Sequence, residues 1–152
     1  LVVVLIASTL VVWQKTRLPY YVIMRSSYEQ SGELVAKLAG PNDRVFVTEA
    51  GMIGYRAGIY VYDFGGLTSP EVCDLYRRRS LDLPLAEVWR EYMPEFLVVT
   101  PRAMKRVTAE GDFEWLNLNY EVVGTFPGHQ VLRRRDLAAP PGPASGSSPA
   151  SP

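Results

Sequence analysis

Short unbroken apolar runs alternate along this chain with stretches in which apolar residues recur every three or four positions. Val45 to Thr48, Ile59 to Tyr62 and Phe96 to Thr100 are of the first kind. They are rich in β-branched and aromatic side chains, and an acid or a proline stops each, which is the pattern of a buried strand. Tyr28, Ser31, Leu34, Val35 and Leu38 form a helical stripe. Ser26-Ser27-Tyr28-Glu29 precedes it as a capping box, and Gly40-Pro41 ends it. Leu85, Val88, Trp89 and Tyr92 fall at i, i+3, i+4 and i+7 between Pro84 and Pro94, an amphipathic helix.

Ser69-Pro70-Glu71 offers a hydroxyl cap, a proline at the first helical position and an acid in the first turn. Ala103 to Val107 reads as another short helix. Tyr120 to Phe126 and Gln130 to Arg135 read as an edge hairpin, with His129 as a turn residue after Pro127-Gly128. Phe113 to Leu116 is apolar but shows no assignable period. Only about ten residues separate the first two strands, fewer than a usual parallel crossover. The Gly51–Gly58 segment is therefore expected to be one short helical turn. The pattern predicts an α/β fold: a small, mostly parallel sheet with flanking helices and a C-terminal hairpin, preceded by the end of a transmembrane helix.

That last element rests on residues 1–13, which are apolar apart from Ser8 and Thr9. As a helix they would cover about 20 Å, short of the about 20 apolar residues that a bilayer crossing needs. Trp13 followed by Gln14-Lys15-Thr16-Arg17 has the form of an interfacial exit. A signal peptide would place its cations first. Residues 1–17 thus read as the trailing part of a span, and 18–137 as the α/β domain. Pro19 is expected to break the helix, leaving Tyr20 to Met24 to lie along the membrane or the domain surface. Residues 138–152 contain only Ala, Pro, Gly and Ser and are expected to be a disordered tail.

Sixteen cations balance sixteen acids, so overall charge gives no argument for a nucleic-acid partner. One cysteine excludes an internal disulfide, and one Cys with one His excludes a Cys/His zinc cluster. A carboxylate metal site stays open, and no cofactor is implied. Cys73 reads as a small buried hydrophobe. Arg77-Arg78-Arg79 suits the C-terminal end of a helix, or else a patch that meets lipid phosphates. Arg133-Arg134-Arg135 reads as a solvated strand end. Walker A, Gly-x-Gly-x-x-Gly and Gly-x-Ser-x-Gly motifs do not occur.

Candidate chemistry gathers where strands stop. Glu49 ends the first strand and Asp63 the second, and Thr100-Pro101-Arg102 follows the third. In open α/β sheets ligands collect at such carboxyl ends, although acids and glycines there are also ordinary turn residues. Glu49, Tyr55, Asp63 and Arg102 are the candidate substrate-binding residues, with Arg102 placed to neutralise one acid.

The same stretch carries a resemblance at Glu49, Gly51, Gly54, Tyr55, Asp63, Gly66, Leu67 and Pro70. It is similar to the extracytoplasmic C-terminal domain of bacterial multi-pass glycosyltransferases that use lipid-linked sugars, the protein mannosyltransferase and aminoarabinose transferase type. The pattern is short, extends over roughly residues 1–135, and departs from the family at Tyr55-Arg56, where two Tyr often stand. The resemblance implies a bilayer, a polyprenyl-phosphate sugar donor and an acceptor as partners. It also implies a cell-membrane location with the domain on the extracytoplasmic side. The acids credited with catalysis in that family lie in early loops without counterpart in these residues. No catalytic residue is therefore assigned, and this chain alone is expected to be inactive. The residues leave two other readings open, a non-enzymatic membrane-tethered binding domain and a soluble α/β enzyme with residues 1–13 as a core strand.

Overall fold

A computed structural model describes residues 2–80 and 82–137. In chain order the elements are α1 (Val2–Leu38), β1 (Arg44–Val47), α2 (Ala50–Ala57), β2 (Tyr60–Asp63), α3 (Pro70–Arg78) and α4 (Leu85–Tyr92). They continue as β3 (Phe96–Val99), α5 (Pro101–Ala109), α6 (Phe113–Asn119), β4 (Tyr120–Phe126) and β5 (His129–Arg134). The strands form one sheet in the order β2-β1-β3-β5-β4. β1 runs parallel to both β2 and β3, β5 pairs antiparallel with β3, and β4 antiparallel with β5. The fold is α/β with flanking helices and a C-terminal hairpin. Its sheet is mixed, and only β4 of the hairpin lies at an edge.

Strand side chains alternate between two buried layers. Phe46, Tyr62, Leu97, Val99 and Leu132 face the layer built by α3 to α6, around Leu75, Trp89, Val107 and Leu116. Val45, Val47, Phe96, Val98 and Val131 face α1 and α2 through Val35, Ile53 and Ala57. Both faces are covered, which is why these strands are continuously apolar. The expected short turn between β1 and β2 is the eight-residue α2, closed by Gly58 in the left-handed region at φ 65°.

The first helix differs from expectation. α1 is one 37-residue helix that passes through Pro19 and through the suggested boundary at residue 17. Proline fixes a helical φ and removes one hydrogen bond, which a long helix can lose without stopping. With the helix already running, Ser26–Glu29 cannot be its capping box. The C-terminal half packs on the sheet through Ser31 and Val35, as the stripe implied, and through Ser27, which the stripe did not include. Its tip lies where β1 begins, and Tyr28 reaches Glu49 beyond the end of β1. Residues N-terminal of Met24 therefore leave the domain past the carboxyl ends of the parallel strands, over about 33 Å of helix. Leu5, Ile6, Val11, Val12, Val22 and Ile23 are exposed there. Among the described residues no helix is long and apolar enough to cross a membrane. The expected tail, 138–152, lies outside the described residues.

Candidate functional site

The order of the strands makes the site. From β1 the chain crosses through α2 on one face to β2, then through α3 and α4 on the other face back past β1 to β3. Connections leave β1 and β3 in opposite directions, so a crevice opens between their carboxyl ends. A cleft of about 360 Å³ lies there. The end of β1 supplies Thr48 and Glu49, and the β3–α5 junction supplies Thr100, Arg102, Ala103 and Arg106. Phe64, just after β2, and Leu85, at the start of α4, add apolar walls.

Each polar group has a local cause. Thr100 caps α5, its Oγ1 accepting the Ala103 N–H at 3.2 Å, and Pro101 opens the helix. Arg102 follows, exposed and without an ion pair among the described residues. Arg106, one turn on, donates from Nε to Glu110 at 2.7 Å and from Nη2 to the Leu83 carbonyl at 3.1 Å. Its guanidinium lies 5.9 Å from the centre of the Phe64 ring. Glu49 Oε2 accepts the Tyr28 hydroxyl, which ties the cleft to α1. Tyr76 donates to the Phe64 carbonyl at 3.0 Å, and burial pushes its phenol up to about 12. Among the described residues no group of three or more His, Cys, Asp or Glu could hold a metal ion.

Of the four residues singled out from sequence, Glu49 and Arg102 line this cleft. They are not ion-paired to each other. Asp63 stands on the same rim but turns into its own loop, where its buried carboxylate accepts the N–H groups of Gly65 at 3.0 Å and Leu67 at 3.1 Å. That is an Asx-type turn. Tyr55 stands on α2 with 84% of its surface exposed and does not line the cleft. Sequence reasoning missed Thr48, Phe64, Leu85 and Arg106. Arg106 alone carried a signal, being four residues from Arg102 and so on the same helix face.

Three further expectations change. Ser69 does not cap α3 with its side chain; its hydroxyl accepts the Asp63 N–H at 2.8 Å and donates to the Val61 carbonyl at 2.9 Å, which pins the end of β2. His129 is no turn residue but the buried first residue of β5, with Nδ1 3.1 Å from Ser27 Oγ on α1. Arg133 and Arg134 are partly buried and paired, with Glu121 and with Glu95 and Asp136, because β5 is interior rather than edge.

Residues 16–144 match a family described as Domain of unknown function (DUF8728). The chain belongs to this family. The match takes in the last part of α1, the whole sheet and the cleft. No curated protein and no solved structure matches the chain.

Proposed function

We propose that this DUF8728 chain is the extracytoplasmic, membrane-proximal domain of a cell-membrane glycosyltransferase that takes a sugar from a polyprenyl-phosphate donor. In this reading catalytic loops belong to a membrane part of the same enzyme, and the domain helps to select the acceptor. One observation carries the reading. α1 leaves the domain at the rim that holds the cleft, and its projecting half exposes apolar side chains. The first 28 residues also contain Lys15, Arg17 and Arg25 and no acid, a composition that suits a bilayer surface. The resemblance at Glu49 to Pro70 supplies the reaction class.

Flotation with phosphatidylcholine–phosphatidylglycerol vesicles tests it. The full chain is expected to float. A variant lacking residues 1–17 is expected to stay below and still to unfold cooperatively, because the first buried residue among those described is Ser27. A full chain that does not float, or a truncated one that floats equally, counts against the membrane role.

A further inference from the structure

The cleft itself points to a ligand. We infer that it binds a hydroxyl-rich ring carrying one anionic group, such as a sugar carboxylate or sugar phosphate. This goes beyond the role just proposed and does not rest on it, since the cleft stands whether or not α1 enters a bilayer.

Its lining carries charges of both signs. Arg102 is an exposed guanidinium without an ion pair among the described residues, in the first turn of α5, where the helix adds positive potential. Glu49 uses Oε2 for the Tyr28 hydroxyl and leaves Oε1 without a partner among the described residues. Thr48 beside it offers a hydroxyl. A bare anion at Arg102 would leave Glu49 unused, and an apolar molecule would strand both charges. A ring with an anionic substituent facing Arg102 and hydroxyls facing Glu49 and Thr48 satisfies both. Phe64 and Leu85 supply an apolar wall for the C–H face of such a ring. The volume, about 360 Å³, lies near the lower end of the roughly 300–1,000 Å³ usual for ligand sites, which suits one ring.

The ring can be a soluble molecule or the head group of a lipid, and the test separates these. Amide NMR of the full chain is followed during addition of glucuronate, glucose 6-phosphate, glucose and inorganic phosphate. The first two are expected to shift Thr48, Glu49, Thr100 and Arg102 saturably, and to bind at least about tenfold tighter than glucose or phosphate. Arg102→Ala, which removes no hydrogen bond or ion pair among the described residues, should weaken them at least about tenfold. If the free rings are silent, the head-group source requires two results: tighter binding to phosphatidylinositol vesicles than to phosphatidylglycerol vesicles, and loss of that preference in Arg102→Ala. The inference is overturned if neither source binds, if inorganic phosphate binds as tightly as glucose 6-phosphate, or if Arg102→Ala changes nothing.

Discussion

At the scale of single residues, His129 shows most plainly how placement changes meaning. Its ring is buried against the Tyr28 ring, centroids 4.6 Å apart, and Nε2 has no hydrogen-bond partner among the described residues. Burial holds the imidazole below its ordinary 6.5. The unfolded chain therefore takes up a proton at a higher pH than the folded one. The stability due to neutral His129 is full above about 6.5 and is lost as pH falls below it, until the folded imidazole also protonates. His129→Asn keeps a polar atom where Nδ1 meets Ser27 and removes the titration. Urea midpoints at about pH 7.5 and about pH 5.5 should show the natural chain losing more stability than the variant. Equal losses would show that another group titrates. Asp63 makes the complementary point, since its sequence position suited a site and its two backbone partners make it a turn.

At the scale of elements, the seat of α1 on α2 decides how the long helix is held. Gly32 faces α2 so closely that an added Cβ would lie 2.6 Å from Arg56 Cβ and 2.8 Å from the Ile53 carbonyl oxygen. In an exposed helix, Gly→Ala gains about 1 kcal/mol. Here the obstacle is partly backbone and cannot swing aside, so Gly32→Ala should instead cost about 1–3 kcal/mol. Chemical denaturation measures this, and a gain in stability would mean that the two helices sit farther apart. Pro19 belongs to the same scale. Its local rule predicted a break, but a single lost hydrogen bond does not outweigh a helix already propagating on both sides.

At the scale of the whole molecule, the two rims of the sheet carry different burdens. The cleft occupies the carboxyl rim. At the opposite rim Glu95, just before β3, receives Arg44 at 3.2 Å and Arg134 at 3.1 Å, and its Oε2 also accepts the Arg44 N–H at 2.9 Å. Burial works against the Glu95 charge, but the Arg44 hydrogen bonds more than offset it and hold the carboxyl below its ordinary 4.5. This network clamps β1, β3 and β5 together. Glu95→Ala should cost about 2 kcal/mol, less than a fully buried pair because the Arg44 side chain is 37% exposed. Ligand shifts at Thr48 and Arg102 should be unchanged, since sites at opposite ends of the strands are independent. Altered cleft binding in Glu95→Ala would mean that the rims are coupled.

The sequence by itself determined the α/β class, the first three strands, the helix at Leu85–Tyr92, the short helix between β1 and β2, and the hairpin. These follow from periodicity and turn chemistry, which are local. It also pointed to Glu49 and Arg102, because residues at strand ends are exposed by topology alone. Only the tertiary structure decided that Asp63 and Tyr55 lie outside the cleft and that Phe64, Leu85 and Arg106 line it. It alone placed β5 inside the sheet, buried His129 and gathered three strands at Glu95. Each of these depends on which strand lies beside which and where a side chain turns, and those are set by contacts between residues far apart in the chain, which no local pattern records.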